Sequence, residues 1–152
     1  MVNIIDTVCA KADEASIRQA GQILKRGGLV AFPTETVYGL GADALNEDAA
    51  AKIYAAKGRP SDNPLIVHIT ERKMLDAIVS EVSAQAELLM EKFWPGPMTL
   101  IFKKSARVPY GTTGGLDTVA VRMPSHPIAR AVIDAGGGYI AAPSANTSGR
   151  PS

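Results

Sequence analysis

The sequence holds one cysteine, Cys9, so no disulfide can form within the chain and no cysteine cage for zinc is available. That usage suits a reducing compartment, and a cytoplasmic location is expected. Histidine is nearly as scarce, with only His68 and His126, far apart in the chain. Neither an HExxH pattern nor a Cys-His pairing of known spacing occurs, which excludes zinc-protease chemistry and a histidine-activated cysteine nucleophile. No protein-ligated metal is expected. No apolar run approaches the roughly 18 residues that a membrane helix needs, and the first thirty residues lack a charged segment followed by an apolar one. The sequence therefore predicts a soluble chain with no membrane association. The glycine patterns GxxxxGK[ST] and GxGxxG are missing too, so a bound nucleotide would be held by neither standard phosphate loop.

What is present fits one enzyme-sized domain: 152 residues, 46% of them hydrophobic, enough to bury a core. A net charge of +1 argues against a chain built mainly to coat nucleic acid. The charge is unevenly spread, with nine Lys/Arg against thirteen Asp/Glu in residues 1–91 and seven against two in residues 92–152. The second segment can face an anion, RNA included, or can carry scattered solvated side chains.

The pattern alternates helices and strands. Asp13 suits a helix N-cap, Ile17, Ala20, Gly21 and Leu24 form its apolar stripe, and Gly27 suits a left-handed exit. Residues 29–32 read as a buried strand closed by Pro33, and Thr34 to Asp43 as a polar loop. Asn46 can cap a second helix through Ala50, Ile53 and Tyr54 that Gly58 stops. A strand is expected at Leu65–Ile69, then helices from about Thr70 and from Ser83 to Phe93, broken by Pro95 and Pro97. Strands follow at Met98–Phe102 and Thr118–Arg122, a helix at Pro127–Asp134 started by His126, and a last strand at Tyr139–Ala142. Such alternation implies an α/β fold, a sheet covered by helices. The chain then stops in a polar loop, and the domain is expected to be incomplete at its C-terminus.

Three segments can carry chemistry. Pro33–Asp43 puts three hydroxyls, two carboxylates and two glycines past a strand's carboxyl end, where α/β sheets bind ligands; the alternative is a turn that caps its own backbone. Lys57–Pro64 holds two cations, two prolines and an amide between a helix and a strand. A stiff loop of that kind can meet phosphate with the fork of Arg59 and the point charge of Lys57, unless Lys57 only settles a helix terminus. Ser144–Gly149 offers neutral donors and acceptors for phosphate or ribose, a weak signal because such residues also make plain turns. Arg122 ends a strand and can clamp a carboxylate or form a surface ion pair. His68 sits in an apolar strand, where a hydrogen-bonded core histidine competes with a functional one. Trp94-Pro95-Gly96-Pro97 reads as a packed turn.

The segments PTETVYGLGAD, KGRPSDNPLIVHI, FWPGPMT, VAVRMP and PSANTSGRPS, in this order, resemble the YrdC-like family of threonylcarbamoyl-AMP synthases from about Gly27 to Ser152. The resemblance implies a twisted, mostly mixed sheet with flanking helices around a concave cavity. It also implies nucleotidyl transfer: L-threonine, bicarbonate and ATP give threonylcarbamoyl-adenylate and pyrophosphate for tRNA threonylcarbamoyladenosine modification, with Mg²⁺ accompanying ATP and downstream tRNA-modification proteins as partners. By the same resemblance Thr36, His68 and Arg122 contact threonine, while Lys57, Arg59, Asn63, Thr118, Ser144, Asn146 and Ser152 hold ATP, with Lys57 and Arg59 catalytic at the phosphates. Two other readings remain: a related carbamoyl-transfer domain, as in hydrogenase-maturation carbamoyltransferases, and a module for double-stranded RNA binding or ribosome maturation.

Overall fold

The computed structural model describes residues 6–152. Helix α1 spans Glu14–Lys25; Asp13 caps it by accepting from the Ser16 N–H at 2.8 Å, and Gly27 follows at φ 78°. Strand β1 is Val30–Phe32 and strand β2 is Gly39–Asp43, paired antiparallel as a hairpin. Helix α2 runs Glu47–Lys57, with Asn46 accepting from the Ala49 N–H and Gly58 left-handed at φ 60°. Strand β3 (Ile66–His68), a single turn α3 (Arg72–Leu75), helix α4 (Ala84–Phe93) and strand β4 (Thr99–Lys103) come next. A second single turn α5 (Tyr110–Thr113), strand β5 (Thr118–Arg122), helix α6 (Pro127–Ala135) and strand β6 (Ile140–Ala141) complete the order.

The six strands form one mixed sheet in the order β1-β2-β6-β3-β5-β4, in which only β3 and β5 are parallel. Registered partners share a face of the sheet. Ala42, Ala141, Val67, Val121 and Phe102 therefore lie together, and they join Ile53, Leu65, Ile69, Leu75 and Ile78 in the larger core. On the opposite face Phe32 and Ile140 pack with Leu24 of α1 and with Ala129, Val132 and Ile133 of α6. The two helices meet closely at Gly21, where an added Cβ would stand 2.4 Å from the Ala135 carbonyl oxygen.

Helices α1 and α6 cover only the β1-β2-β6 end of that second face. Along β3, β5 and β4 the same face carries Ile66, His68, Thr118, Ala120, Arg122, Thr99, Ile101 and Lys103, and there Ile101 is 71% exposed. On that half exposure grows toward the β4 edge, from His68, which is buried, through half-buried Ala120 and Arg122 to the exposed Ile101 and Lys103.

Several expected boundaries move. The first strand is an edge strand, not a buried one: among the described residues no strand pairs with its outer side, and the Ala31 side chain is exposed on the sheet face. The second half of the expected loop, Gly39–Asp43, is a strand: its glycines and alanine have little strand propensity, yet Gly41 has to be small, since a Cβ there would lie 2.7 Å from the Phe32 ring. The helix expected from about Thr70 is the one turn of α3, and α5 has no sequence signal of its own beyond Pro109 before it. The Trp94–Pro97 segment is a packed turn: Trp94 Nε1 donates to the Met98 carbonyl at 2.8 Å. No helix among the described residues is long and apolar enough to cross a membrane.

Candidate functional site

Two polar clusters border the half of the sheet that α1 and α6 leave uncovered. The first forms where β5 ends. Arg122 faces the same side as His68, its registered partner on β3, and Thr99, its partner on β4. The loop between β1 and β2 folds over it, so that Thr36 Oγ1 lies 3.5 Å from both terminal nitrogens of Arg122. Thr36 is aimed by Thr34, whose Oγ1 accepts from the Thr36 N–H at 3.1 Å and donates to the Val37 carbonyl at 2.6 Å. Glu35 in the same loop makes an ion pair with the Arg122 Nη2, and Arg122 Nε donates to the Gly96 carbonyl at 3.4 Å.

His68 is 3% exposed, and its Nδ1 lies 3.0 Å from the Ile66 carbonyl oxygen. A carbonyl only accepts, so Nδ1 carries the proton and Nε2 keeps its lone pair in the neutral ring. Burial, and next the charge of Arg122, pull the imidazole pKa down to about 4, against the opposing pull of the Ile66 and Ile140 carbonyls and of Glu35. The ring is neutral near pH 7. Glu35 responds to opposed influences: desolvation, the largest, pushes its carboxyl up, but the hydrogen bonds and charge of Arg122 with backbone N–H donors outweigh it and hold the group below its usual value.

The second cluster is organised by Lys57. This last residue of α2 is 3% exposed, and its Nζ donates to the carbonyl oxygens of both Ser144 and Asn146 in the loop after β6. The Ser148 N–H returns a bond to the Lys57 carbonyl at 3.0 Å. Burial, then the nearby Arg59, lower the pKa of the ammonium. Asn146 in turn accepts from the Ser152 hydroxyl at 3.0 Å and donates to the Arg150 carbonyl at 2.6 Å, which gathers Ser144, Asn146 and Ser152 on one curl of chain. Arg59 and Asn63 belong to a separate turn, in which Arg59 donates to the Asn63 and Pro64 carbonyls at 3.3 and 3.1 Å.

The two clusters are joined. The Ala145 N–H donates to the Tyr38 carbonyl at 2.8 Å, the Leu40 N–H to the Pro143 carbonyl at 2.9 Å, and Gly39 bridges Ser144. The loop bearing Thr36 and the loop bearing Ser144 and Asn146 are therefore one backbone-bonded unit. Thr118 stands apart at the other end of β5, four residues and about 13 Å from Arg122 along the strand. It lines a cavity of about 680 Å³ with Lys103, Ser105, Tyr110 and Asp117. A cavity of about 600 Å³ between Arg72, Glu87, Trp94 and Met123 contains none of the expected site residues. Thr36, His68, Arg122, Lys57, Ser144 and Asn146 line neither cavity.

The residues singled out in the sequence fall into three groups: Thr36, His68 and Arg122; Lys57, Ser144, Asn146 and Ser152; and the Arg59–Asn63 turn; Thr118 stands apart from all three. In the sequence Glu35 stands out only as one of two carboxylates of the Pro33–Asp43 segment. Its partner Arg122 is 87 residues away, and no local spacing points from one to the other. The carbonyl of Gly96 is equally hidden from sequence, since it acts through backbone.

The Sua5/YciO/YrdC family model, described as telomere recombination, matches residues 22–152. A threonylcarbamoyl-AMP synthase of Pyrococcus abyssi is 54% identical over 151 residues, covering 99% of this chain and 44% of the relative. A threonylcarbamoyl-AMP synthase of Bacillus subtilis is 55% identical over 142 residues, covering 92% of this chain and 41% of the relative. Among solved structures, Pyrococcus abyssi Sua5 in complex with L-threonine superimposes with a TM-score of 0.90 at 56% identity, over 92% of this chain and 41% of that one. The chain spans less than half the length of these relatives.

Proposed function

The chain belongs to the Sua5/YciO/YrdC family, and from that premise we propose that it forms threonylcarbamoyl-adenylate from L-threonine, bicarbonate and ATP, releasing pyrophosphate, in the cytoplasm and in the service of tRNA threonylcarbamoyladenosine modification. The names of the relatives support this reading, as does the threonine complex of the Pyrococcus protein. The observation that carries it is the Ala145–Tyr38 backbone bond, which ties the loop suited to an amino acid to the loop suited to a nucleotide. A reaction that joins a modified amino acid to AMP needs both ligands side by side.

In this reading Arg122 takes the threonine carboxylate, for which its planar fork is shaped, with the Thr36 hydroxyl beside it. The amine has to lose a proton before it can attack. A neutral His68 and a cationic Arg122 both favour the uncharged amine, whereas a carboxylate partner would favour ammonium. The nitrogen attacks the carbon of bicarbonate, from which water leaves, or of carbon dioxide derived from it by loss of that water, and the nitrogen gives up a proton to leave a carbamate. A carbamate oxygen then attacks the α-phosphorus of ATP while the bond to pyrophosphate breaks.

Lys57, Arg59, Asn63, Thr118, Ser144, Asn146 and Ser152 serve ATP, with the two cations catalytic through charge on the phosphates. Lys57 spends two of its three ammonium protons on Ser144 and Asn146, so its first task is to shape the loop that meets the nucleotide. Mg²⁺ bound to the triphosphate would offset part of its charge. Glu35 does not serve that ion, being committed to Arg122 and to the Ser125 and His126 N–H groups. The adenylate then passes to downstream tRNA-modification proteins.

Calorimetry with L-threonine tests the amino-acid half of this reading. Saturable binding by the parent chain and its loss in Arg122→Ala is the expected pair of results; a folded Arg122→Ala protein that binds threonine as the parent does would overturn the assignment.

A further inference from the structure

We infer that Glu35 is the positioning residue of the carboxylate site: it holds the Arg122 guanidinium from the side so that the edge facing Thr36 stays directed at the ligand. This rests on the reading of Arg122 as the carboxylate partner. Arg122 is the last residue of β5 and has a long, flexible side chain, which would otherwise lose considerable rotamer freedom on binding. The protein settles that side chain in advance. Nε donates to the Gly96 carbonyl at 3.4 Å and Nη2 to Glu35, whereas both terminal nitrogens lie a marginal 3.5 Å from Thr36 Oγ1. The ion pair with Glu35 is the one close support; the contacts to Gly96 and Thr36 are both long, and the Thr36 edge is the one left for a ligand.

Glu35 is itself anchored at its other oxygen. Oε2 accepts from the Ser125 and His126 N–H groups at 3.2 and 3.3 Å, at the start of the nine-residue α6. Its ion pair with Arg122 is partly enclosed, the side chains being 11% exposed for Arg122 and 20% for Glu35 on an otherwise exposed loop. One carboxylate thus links three segments: the Thr36 loop, the end of β5 and the start of α6. The arrangement has an electrostatic consequence. With Glu35 charged, the pair is close to neutral, and an incoming carboxylate competes with an internal one for Arg122. Selectivity then comes from geometry: a ligand has to use the Thr36 edge, and its amine falls within reach of the same face as His68.

Two readouts on Glu35→Gln, which keeps the shape and loses the charge, test the inference. The first needs no ligand: nitrogen-15 NMR of the Arg122 guanidinium. Resolved, slowly averaging N–H signals are expected in the parent and collapsed, rapidly averaging ones in Glu35→Gln; unchanged signals would overturn the positioning role. The second is threonine affinity by calorimetry, expected to fall at least about tenfold in Glu35→Gln while ATP affinity stays as in the parent. In an Arg122→Lys background the same change should cost little further, because the two residues act as one unit. Fully additive losses, or an equal fall in ATP affinity, would show a general structural role and overturn the inference. If the parent binds no threonine at all while the guanidinium signals still collapse in Glu35→Gln, the positioning contact stands and the amino-acid assignment fails.

Discussion

The ammonium of Lys57 donates to the carbonyl oxygen of Ser144, 87 residues further along the chain, and through it the end of α2 grips the loop after β6. A buried lysine is costly unless its protons are used, and here they shape the segment that carries Ser144, Asn146 and Ser152.

Removing that ammonium leaves two carbonyls without their donor. Lys57→Ala is expected to cost about 2 kcal/mol, in the range of hydrogen bonds to charged groups, and Lys57→Met nearly as much although it refills the space. Hydrogen exchange should rise at Ala145 and Ser148 before it rises in the sheet. Chemical denaturation with exchange mass spectrometry measures both, and unchanged protection of that loop would contradict the role given to Lys57.

His68 makes stability depend on pH. Its pKa is about 4 in the fold against a usual 6.5, so between those values the unfolded chain binds the proton and the folded one does not. Stability is therefore full above about pH 6.5 and falls as pH drops toward 4, by at most about 3 kcal/mol. Glu35, whose folded pKa is lowered, adds a loss in the same direction, but only below the usual carboxylate range near 4.5. Urea unfolding from pH 7 to pH 5 should show the first loss in the parent and a flatter profile in His68→Asn.

The helix contact at Gly21 sets how tightly α1 closes on α6. Gly21→Ala places a methyl 2.4 Å from the Ala135 carbonyl oxygen, which is backbone and cannot step aside as a side chain would. The substitution improves helix propensity by up to about 1 kcal/mol, yet overpacking should win and lower stability by about 1–3 kcal/mol. Thermal unfolding reads the sign.

Thr112 is fully buried, and its hydroxyl donates to the Ala44 carbonyl at 2.7 Å, joining the short α5 to the chain between β2 and α2. Thr112→Val keeps the shape and strands that carbonyl, with an expected cost of about 1–3 kcal/mol. Thr36→Val, on the exposed loop, should leave stability within about 0.5 kcal/mol and act on threonine affinity alone.

Much of the fold was legible because its signals are local. Asp13, Asn46 and Ser83 each cap the helix expected from their spacing, and Gly58 ends α2 in the left-handed conformation that glycine favours. The apolar runs at β3, β5 and β6 sit where the sheet is deepest. The strand Gly39–Asp43 escaped because its residues are chosen for closeness, not for strand propensity: Gly41 makes room for Phe32 and Ile140. In the site, His68, Arg122 and Lys57 each allow a structural and a functional reading from their own positions, and it is the family resemblance that singles them out together with Thr36. Their arrangement is not legible, because it depends on pairings such as Glu35 with Arg122 and Lys57 with Ser144 that span more than half the chain and leave no periodic trace.

The central claim is tested most directly by pyrophosphate release from ATP by this purified chain, with L-threonine and bicarbonate each supplied or withheld. Release that requires both is the expected result. Release that proceeds at the same rate without threonine, or no release from a chain that demonstrably binds both threonine and ATP, would contradict it.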